Sequence, residues 1–232
     1  MQAETESDFV NQLLYEGRQR YPKDHLWTTI FLNGELSKEQ LQKWAINRYY
    51  FHNSIPNKDA AVLSKLPKDA RTLWIEKLGE EAGDSGHPSH PDLWIRFCED
   101  LGLSRNDVID GEVYAPVKIT VDAYTYGARN EDWRWGAGAS LTEFTVPAKM
   151  AKYIKAFNEH YSYITEEGRF FFDEHAEADE RHGKIIIDIL NNYSENDVYK
   201  EEFRKGYFFK LDLHRVMLDS IHYETVLKVN LN

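Results

Sequence analysis

The chain of 232 residues has a single cysteine, Cys98. An intramolecular disulfide is therefore excluded, and so is a thiolate-based zinc site. Positive charge is also short: 28 Lys and Arg face 39 Asp and Glu, for a formal net charge of -11. Such a surface repels phosphate backbones and carries no basic stripe, so nucleic acid is not expected as a partner. Apolar runs near the roughly 20 residues that span a bilayer are missing. With a mean hydropathy of -0.62, a membrane is not expected either. The start, Met1-Gln2-Ala3-Glu4-Thr5-Glu6, is acidic without an apolar stretch. It does not read as a signal peptide, and the cytoplasm is the expected location. Low-complexity tracts and internal repeats are absent, and the alternating β-branched runs that mark strands nearly so.

What is present suits an all-α chain. Hydrophobic residues make up 42%, enough for one core, and a single domain over 1–232 is expected. Aromatics reach 14%; they fill cores and would also suit a pocket for a planar substrate. Ser37-Lys38-Glu39-Gln40 reads as a capping box opening a helix that runs to about Ile55 and stops before Pro56. Its apolar stripe of Leu41, Trp44, Ala45 and Ile55 includes Arg48 and His52. Another helix starts at Pro67-Lys68-Asp69 and continues to about Glu81. A Gly-rich break follows, and then His90-Pro91-Asp92 opens a further helix with Pro91 at its first position. Helices are also expected over 116–129, 139–158 with a kink at Pro147, 162–191 and 196–228. The expectation is a compact bundle of seven or more helices.

The strongest chemical signal is His175-Ala176-Glu177-Ala178-Asp179-Glu180-Arg181-His182. On a helix, residue i+4 lies about 40° from i, and i+7 about 20° to the other side. His175, Asp179 and His182 therefore share one narrow face with Phe171, Phe172, Ile186, Ile189 and Leu190, while Glu177 and Glu180 point away. Burying two imidazoles and a carboxylate without partners is unfavourable. A metal ion offsets that, as would a hydrogen-bonded structural network. His and Asp without thiolate suit iron, manganese or zinc.

One helix rarely completes such a site, and carboxylates and histidines of other helices converge on it in bundle metalloproteins. Glu143 sits in an apolar context, Ser140-Leu141-Thr142-Glu143-Phe144, and reads either as a ligand or as an ordinary half-buried carboxylate. Glu80, Glu81, His87 and His90 gather round the Gly-rich break. A solvated Glu pair and a histidine that caps a helix are the plainer readings there. Arg48 suits bidentate capture of a substrate carboxylate or a structural ion pair. His52 reads as a core histidine or a pocket group. Lys210 either reaches a substrate anion or snorkels outward.

At these residues the chain resembles the pyrroloquinoline-quinone synthase branch of the TenA/heme-oxygenase-like helical fold. The stretches that carry the resemblance include Trp44-Ala45-Ile46-Asn47-Arg48-Tyr49-Tyr50, Ile55-Pro56-Asn57-Lys58-Asp59, Val121-Asp122-Ala123-Tyr124, Ser140-Leu141-Thr142-Glu143, Glu166-Glu167-Gly168 and Phe209-Lys210-Leu211-Asp212. The resemblance implies an O2-using enzyme, usually a homodimer, whose pocket is lined at Arg48, Lys58, Glu143 and Lys210. The quinone synthases are metal-free, with an active site rich in His and Arg. Here His52 stands where that branch has a glutamine, and Glu81 and Met150 where it has histidines.

Those departures resemble a sister group, the heme-oxygenase-like diiron oxidases. By that resemblance the ligands are Glu80, His90, Glu143, His175, Asp179 and His182, with Glu81 the rival of Glu80 and His87 the rival of His90. His90 is favoured by the following Pro91-Asp92-Leu93-Trp94. The implied cofactor is two iron ions, with manganese possible, and O2 is the co-substrate. Arg48, Lys58 and Lys210 are implied to bind a small anionic or amino-acid-derived substrate. Glu81, His52 and Arg48 are expected in catalytic roles, and an external electron donor is possible. One subgroup makes para-aminobenzoate from its own tyrosine, and Thr28 stands at that position here. A thiamin-salvage hydrolase of the same fold would need a nucleophilic cysteine, whereas Cys98 in Trp94-Ile95-Arg96-Phe97-Cys98 reads as a core residue.

Overall fold

A computed structural model describes residues 7–21, 23–83 and 88–228. Helices follow one another in the order α1 (Asp8–Arg20), α2 (Leu26–Leu32), α3 (Lys38–His52), α4 (Ile55–Leu63), α5 (Lys68–Ala82), α6 (His90–Asp100) and α7 (Arg105–Ile109). Then come α8 (Ala115–Asn130), α9 (Trp133–Ser140), a 3-10 segment (Leu141–Thr145), α10 (Val146–His160), α11 (Glu166–Tyr193) and α12 (Asp197–His222). The last runs on into a π turn, Tyr223–Leu227. Among the described residues there is no strand, and no helix is long and apolar enough to cross a membrane. The acidic residues 1–6 lie outside the described residues.

The local signals explain most of these boundaries. The capping box at the start of α3 forms as expected, with Ser37 and Gln40 each bonding the other's backbone. The helix does not run to Ile55, however. It stops at His52, and Pro56 lies in the first turn of α4, where its missing N–H is no loss. Pro91 sits in the same way at the start of α6, behind the side-chain cap of Ser89. His90 is thus freed from capping duty.

The expected helix over 139–158 is two helices. Pro147 cannot donate to the carbonyl of Glu143, and the N–H of Val146 takes that carbonyl instead, tightening residues 141–145 into a 3-10 turn. Glu143 is therefore carried on a break rather than on a straight helix. Opposite it runs α11, straight through the His/Asp motif.

Packing brings these pieces together. Between α9 and α12 the backbones nearly touch: a Cβ on Gly138 would strike the carbonyl of Phe203, and one on Gly206 the carbonyl of Trp135. A buried aromatic cluster, in which Trp44 contacts Trp27, Trp94 and Phe97, and Phe97 contacts Phe172, ties α2, α3, α6 and α11 into one core. The polar motif of α11 lies at one end of that cluster.

Candidate metal centre

Four elements supply the site: α5 brings Glu81, α6 brings His90, the 3-10 break brings Glu143, and α11 brings His175, Asp179 and His182. Asp179 and His182 are buried to 1% exposure, and His90 and Glu81 to 5% or less. Nδ1 of His182 lies 3.6 Å from Oε2 of Glu143, 3.9 Å from Oε1 of Glu81 and 3.8 Å from Oδ1 of Asp179. Nδ1 of His90 lies 2.8 Å from Oε2 of Glu81, and Nε2 of His175 3.8 Å from Oδ2 of Asp179. One donor atom each from Glu81, Glu143 and His182 fits within 4.8 Å of the other two, the spread expected of ligands to one cation.

These groups approach without being hydrogen bonded. Nδ1 of His90, His175 and His182, Oε2 of Glu143 and both oxygens of Asp179 are buried with no hydrogen-bond partner. The 2.8 Å contact of Nδ1 of His90 with Glu81 is an ion pair. Folded proteins rarely leave such atoms orphaned, and here those of Glu143 and Asp179 approach that of His182. Donor lone pairs that face one another across 3–4 Å suit a cation placed between them.

The electrostatics agree. Burial, reinforced by Glu143 and Glu81, raises the Asp179 carboxyl well above the ordinary range. Burial and the neighbouring His90 push His175 well below the usual imidazole value, and burial and Lys77 lower His182. Both rings are thus neutral, the state that ligates. Burial works against charge on His90 too, but the facing Glu81 outweighs it and raises that ring's pKa. Glu81 itself is held well below the ordinary range: burial opposes this, and His90 and Lys77 overcome it.

Each sequence-derived residue can now be placed. The structure puts Glu81, and not Glu80, among the converging atoms. Glu80 is directed outward, with Oε2 3.0 Å from Nε2 of His182 and 3.0 Å from Nη2 of Arg181. Consecutive residues lie about 100° apart on a helix, so only one of the pair can face inward. Glu80 fixes His182 in the tautomer whose Nδ1 lone pair faces the cluster. His87 and the side chains of Glu177 and Glu180 lie outside what the structure describes. Arg48, His52, Glu81, Glu143, His175, Asp179 and Lys210 all line one cavity. Lys58 does not: it is wholly buried, with Nζ 2.5 Å from Asp59 and 2.7 Å from the hydroxyl of Ser140. Its expected substrate contact gives way to a structural one.

The cavity has further walls, of which the sequence marked only Trp44, Trp94 and Phe171, as neighbours of the polar residues. Trp44, Phe51, Trp94, Tyr153 and Phe171 make it aromatic, and Lys149 and His214 add polar groups. Arg48 reaches Nδ1 of His214 at 3.3 Å and stacks over Phe51; burial pushes its pKa down to about 10. Lys210 lies over the rings of Tyr124 and Phe51, at 4.0 and 4.2 Å, and burial followed by Lys58 depresses its pKa well below the lysine range. Among the described residues neither cation has a carboxylate partner in ion-pair range. Cys98 is buried in the core away from the cavity, and burial raises its thiol pKa. Lys77 and Asp59, both wholly buried beside Glu81 and Glu143, were also missed. Asp59 ends the stretch Ile55-Pro56-Asn57-Lys58-Asp59 but was not read as a site residue, and Lys77 is one of many lysines on a helix surface until the fold buries it.

Comparison with known proteins is consistent across the chain. The model of the TENA/THI-4/PQQC family matches residues 16–218. A pyrroloquinoline-quinone synthase of Klebsiella pneumoniae (strain 342) is 33% identical over 207 residues, covering 87% of this chain and 81% of the relative. That of Ectopseudomonas mendocina (strain ymp) is 33% identical over 224 residues, 94% and 88% of the two chains. Among solved structures, a Shewanella denitrificans domain of unknown function with a heme oxygenase-like fold has a TM-score of 0.78 at 16% identity, covering 95% of this chain and 91% of its own. A cadd-like protein of unknown function from Nostoc punctiforme has a TM-score of 0.75 at 17% identity, covering 94% and 98%. These two likenesses concern the fold.

Proposed function

Because the chain belongs to the TENA/THI-4/PQQC family, we propose that it is an O2-dependent oxidase of biosynthesis that acts on a small anionic metabolite at a dinuclear metal centre, iron first and manganese second. The proposed ligands are Glu81, His90, Glu143, His175, Asp179 and His182. One observation carries this reading: Oε2 of Glu143 and Oδ1 of Asp179 lie 3.6 and 3.8 Å from Nδ1 of His182, and all three atoms are buried with no hydrogen-bond partner. Their oxygen and nitrogen chemistry, without sulfur, suits iron or manganese. The enzymatic part of the reading draws on the relatives, which are named pyrroloquinoline-quinone synthase.

Metal ions bound there would supply a site for binding and reducing O2. The remaining work falls to the protein's own groups. Arg48 and Lys210 line the cavity and, among the described residues, have no carboxylate in ion-pair range, so they bind and orient the anionic part of the substrate. The aromatic walls hold an apolar body against the centre and keep water away. Glu80 holds the proton on Nε2 of His182. His52, whose ring centroid is 6.0 Å from that of His175 and whose Nε2 has no partner, is placed to pass a proton between substrate and site.

A second reading is a metal-free oxidase of the quinone-synthase kind. It draws on the names of those relatives and on Lys77, a cation already inside the acidic cluster. Anaerobic loading with Fe(II), removal of excess metal and iron analysis decide between the two. About two irons per chain are expected, lost in His175→Ala and Asp179→Ala together with metal-dependent O2 uptake. A protein that retains neither iron nor manganese, yet consumes O2 with an aromatic acid, would establish the metal-free reading instead.

A further inference from the structure

Lys77 stands one helical turn before Glu81 and is wholly buried. Its Nζ lies 2.9 Å from Oδ2 of Asp59, 3.2 Å from Oε2 of Glu143 and 3.6 Å from Oε1 of Glu81. The last two atoms are the ones that approach Nδ1 of His182. The ammonium thus touches the donor atoms of one half of the centre. The other half differs: Oε2 of Glu81 faces His90, and His175 faces Asp179. Among the described residues no lysine or arginine is ion-paired to Asp179.

We propose that Lys77 is a resident cation of the metal centre, seated on the Glu81–Glu143–His182 side, so that one metal ion binds readily beside it and a second binds only in competition with it. The inference rests on the dinuclear reading above. Charge supports it. Asp59, Glu81 and Glu143 face Lys58 and Lys77, three negative groups against two positive. A first divalent ion on the His90–His175–Asp179 side leaves this arrangement intact. A second ion would have to share Glu81 and Glu143 with an ammonium a few ångströms away, in an interior that screens poorly. The ammonium also has somewhere to go. Its one well-formed hydrogen bond is to Asp59, which Lys58 and Ser140 hold in place, so a small rotation toward Asp59 clears the half-site. The centre is thereby made unequal, with its second position conditional.

Anaerobic titration of the metal-free full-length chain with Co(II), followed by calorimetry and by the cobalt absorption bands, tests this without any turnover. The wild type should bind in two steps, the second at least tenfold weaker. Lys77→Met should tighten the second step tenfold or more and leave the first unchanged. Lys77→Arg, which keeps the charge, should preserve the gap. If Lys77→Met does not fold, Lys77→Gln combined with Asp59→Asn removes one charge of each sign and is read in the same way. Two equal steps in the wild type, or a second step that neutral variants leave unchanged, would overturn the role of Lys77 while the dinuclear reading stands. No cobalt binding in the wild type or any folded variant would overturn both.

Discussion

At the scale of single residues, adjacent carboxylates on one helix have opposite tasks. Glu81 is turned into the bundle and Glu80 outward onto His182. The expected outcome is that Glu81→Gln loses at least one of the two metal ions. Glu80→Gln should keep the stoichiometry while its affinity falls by about 10–100-fold, the usual effect of removing a carboxylate behind a ligating histidine. Metal analysis with a competing chelator measures both, and the reverse order would show that Glu80 is the ligand. The cavity cations make a second prediction. Burial first, and then Lys58, hold the Lys210 pKa well below 10.5. Between its depressed value and the ordinary one, the free protein carries this lysine neutral. A bound carboxylate raises that pKa, so binding of an anion such as benzoate at about pH 9 should take up a proton. Calorimetry in buffers of different ionisation enthalpy reads the uptake, and Lys210→Met should abolish it. Binding without uptake in the wild type would mean that Lys210 does not meet the anion.

At the scale of elements, the site depends on two backbone features. Pro147 breaks the ladder so that Glu143 sits on a 3-10 turn facing α11. Gly138 and Gly206 let α9 and α12 meet backbone to backbone, which sets the helix before that turn against the one that carries Lys210. Gly206→Ala should destabilise the protein by about 1–3 kcal/mol through overpacking, read from chemical denaturation. It should also weaken anion binding at Lys210, because α12 must shift to admit the methyl group. A Gly206→Ala protein of unchanged stability would mean that the two helices are free to separate. Capping boxes and prolines placed in first turns were legible along the chain, as at Ser37 and Pro91, because they involve residues three or four apart. The split at residues 141–145 was not, since a proline within a helical pattern can either kink a helix or start a new one.

At the scale of the whole molecule, the proposed metal would be linked to the fold. The bundle buries Asp179 beside Glu81 and Glu143, an arrangement that ligation would relieve. Ligands that bind only the folded chain stabilise it by about 2.7 kcal/mol at a hundredfold excess over Kd. For a chain of this size that corresponds to a Tm rise of about 5–10 °C on saturation with Fe(II) or Mn(II). Chelation should reverse the rise, and Asp179→Ala should show none. An unchanged melting temperature at saturating metal would contradict the assigned ligands.

By itself the sequence determined what is local. The 3.6-residue period set the helical class, and the spacing His175, Asp179, His182 placed three polar groups on an apolar face, where burial follows from their neighbours. Only the tertiary structure decided what meets that face. It turned Glu81, and not Glu80, toward Nδ1 of His182, because helix packing and not spacing sets which way α5 is rotated. It took Lys58 out of the cavity, left Arg48 and Lys210 facing it, and buried Lys77 among carboxylates from α4, α5 and the 3-10 turn. Contacts between residues tens of positions apart depend on how helices are rotated and how closely they approach, and no periodicity within one segment encodes either.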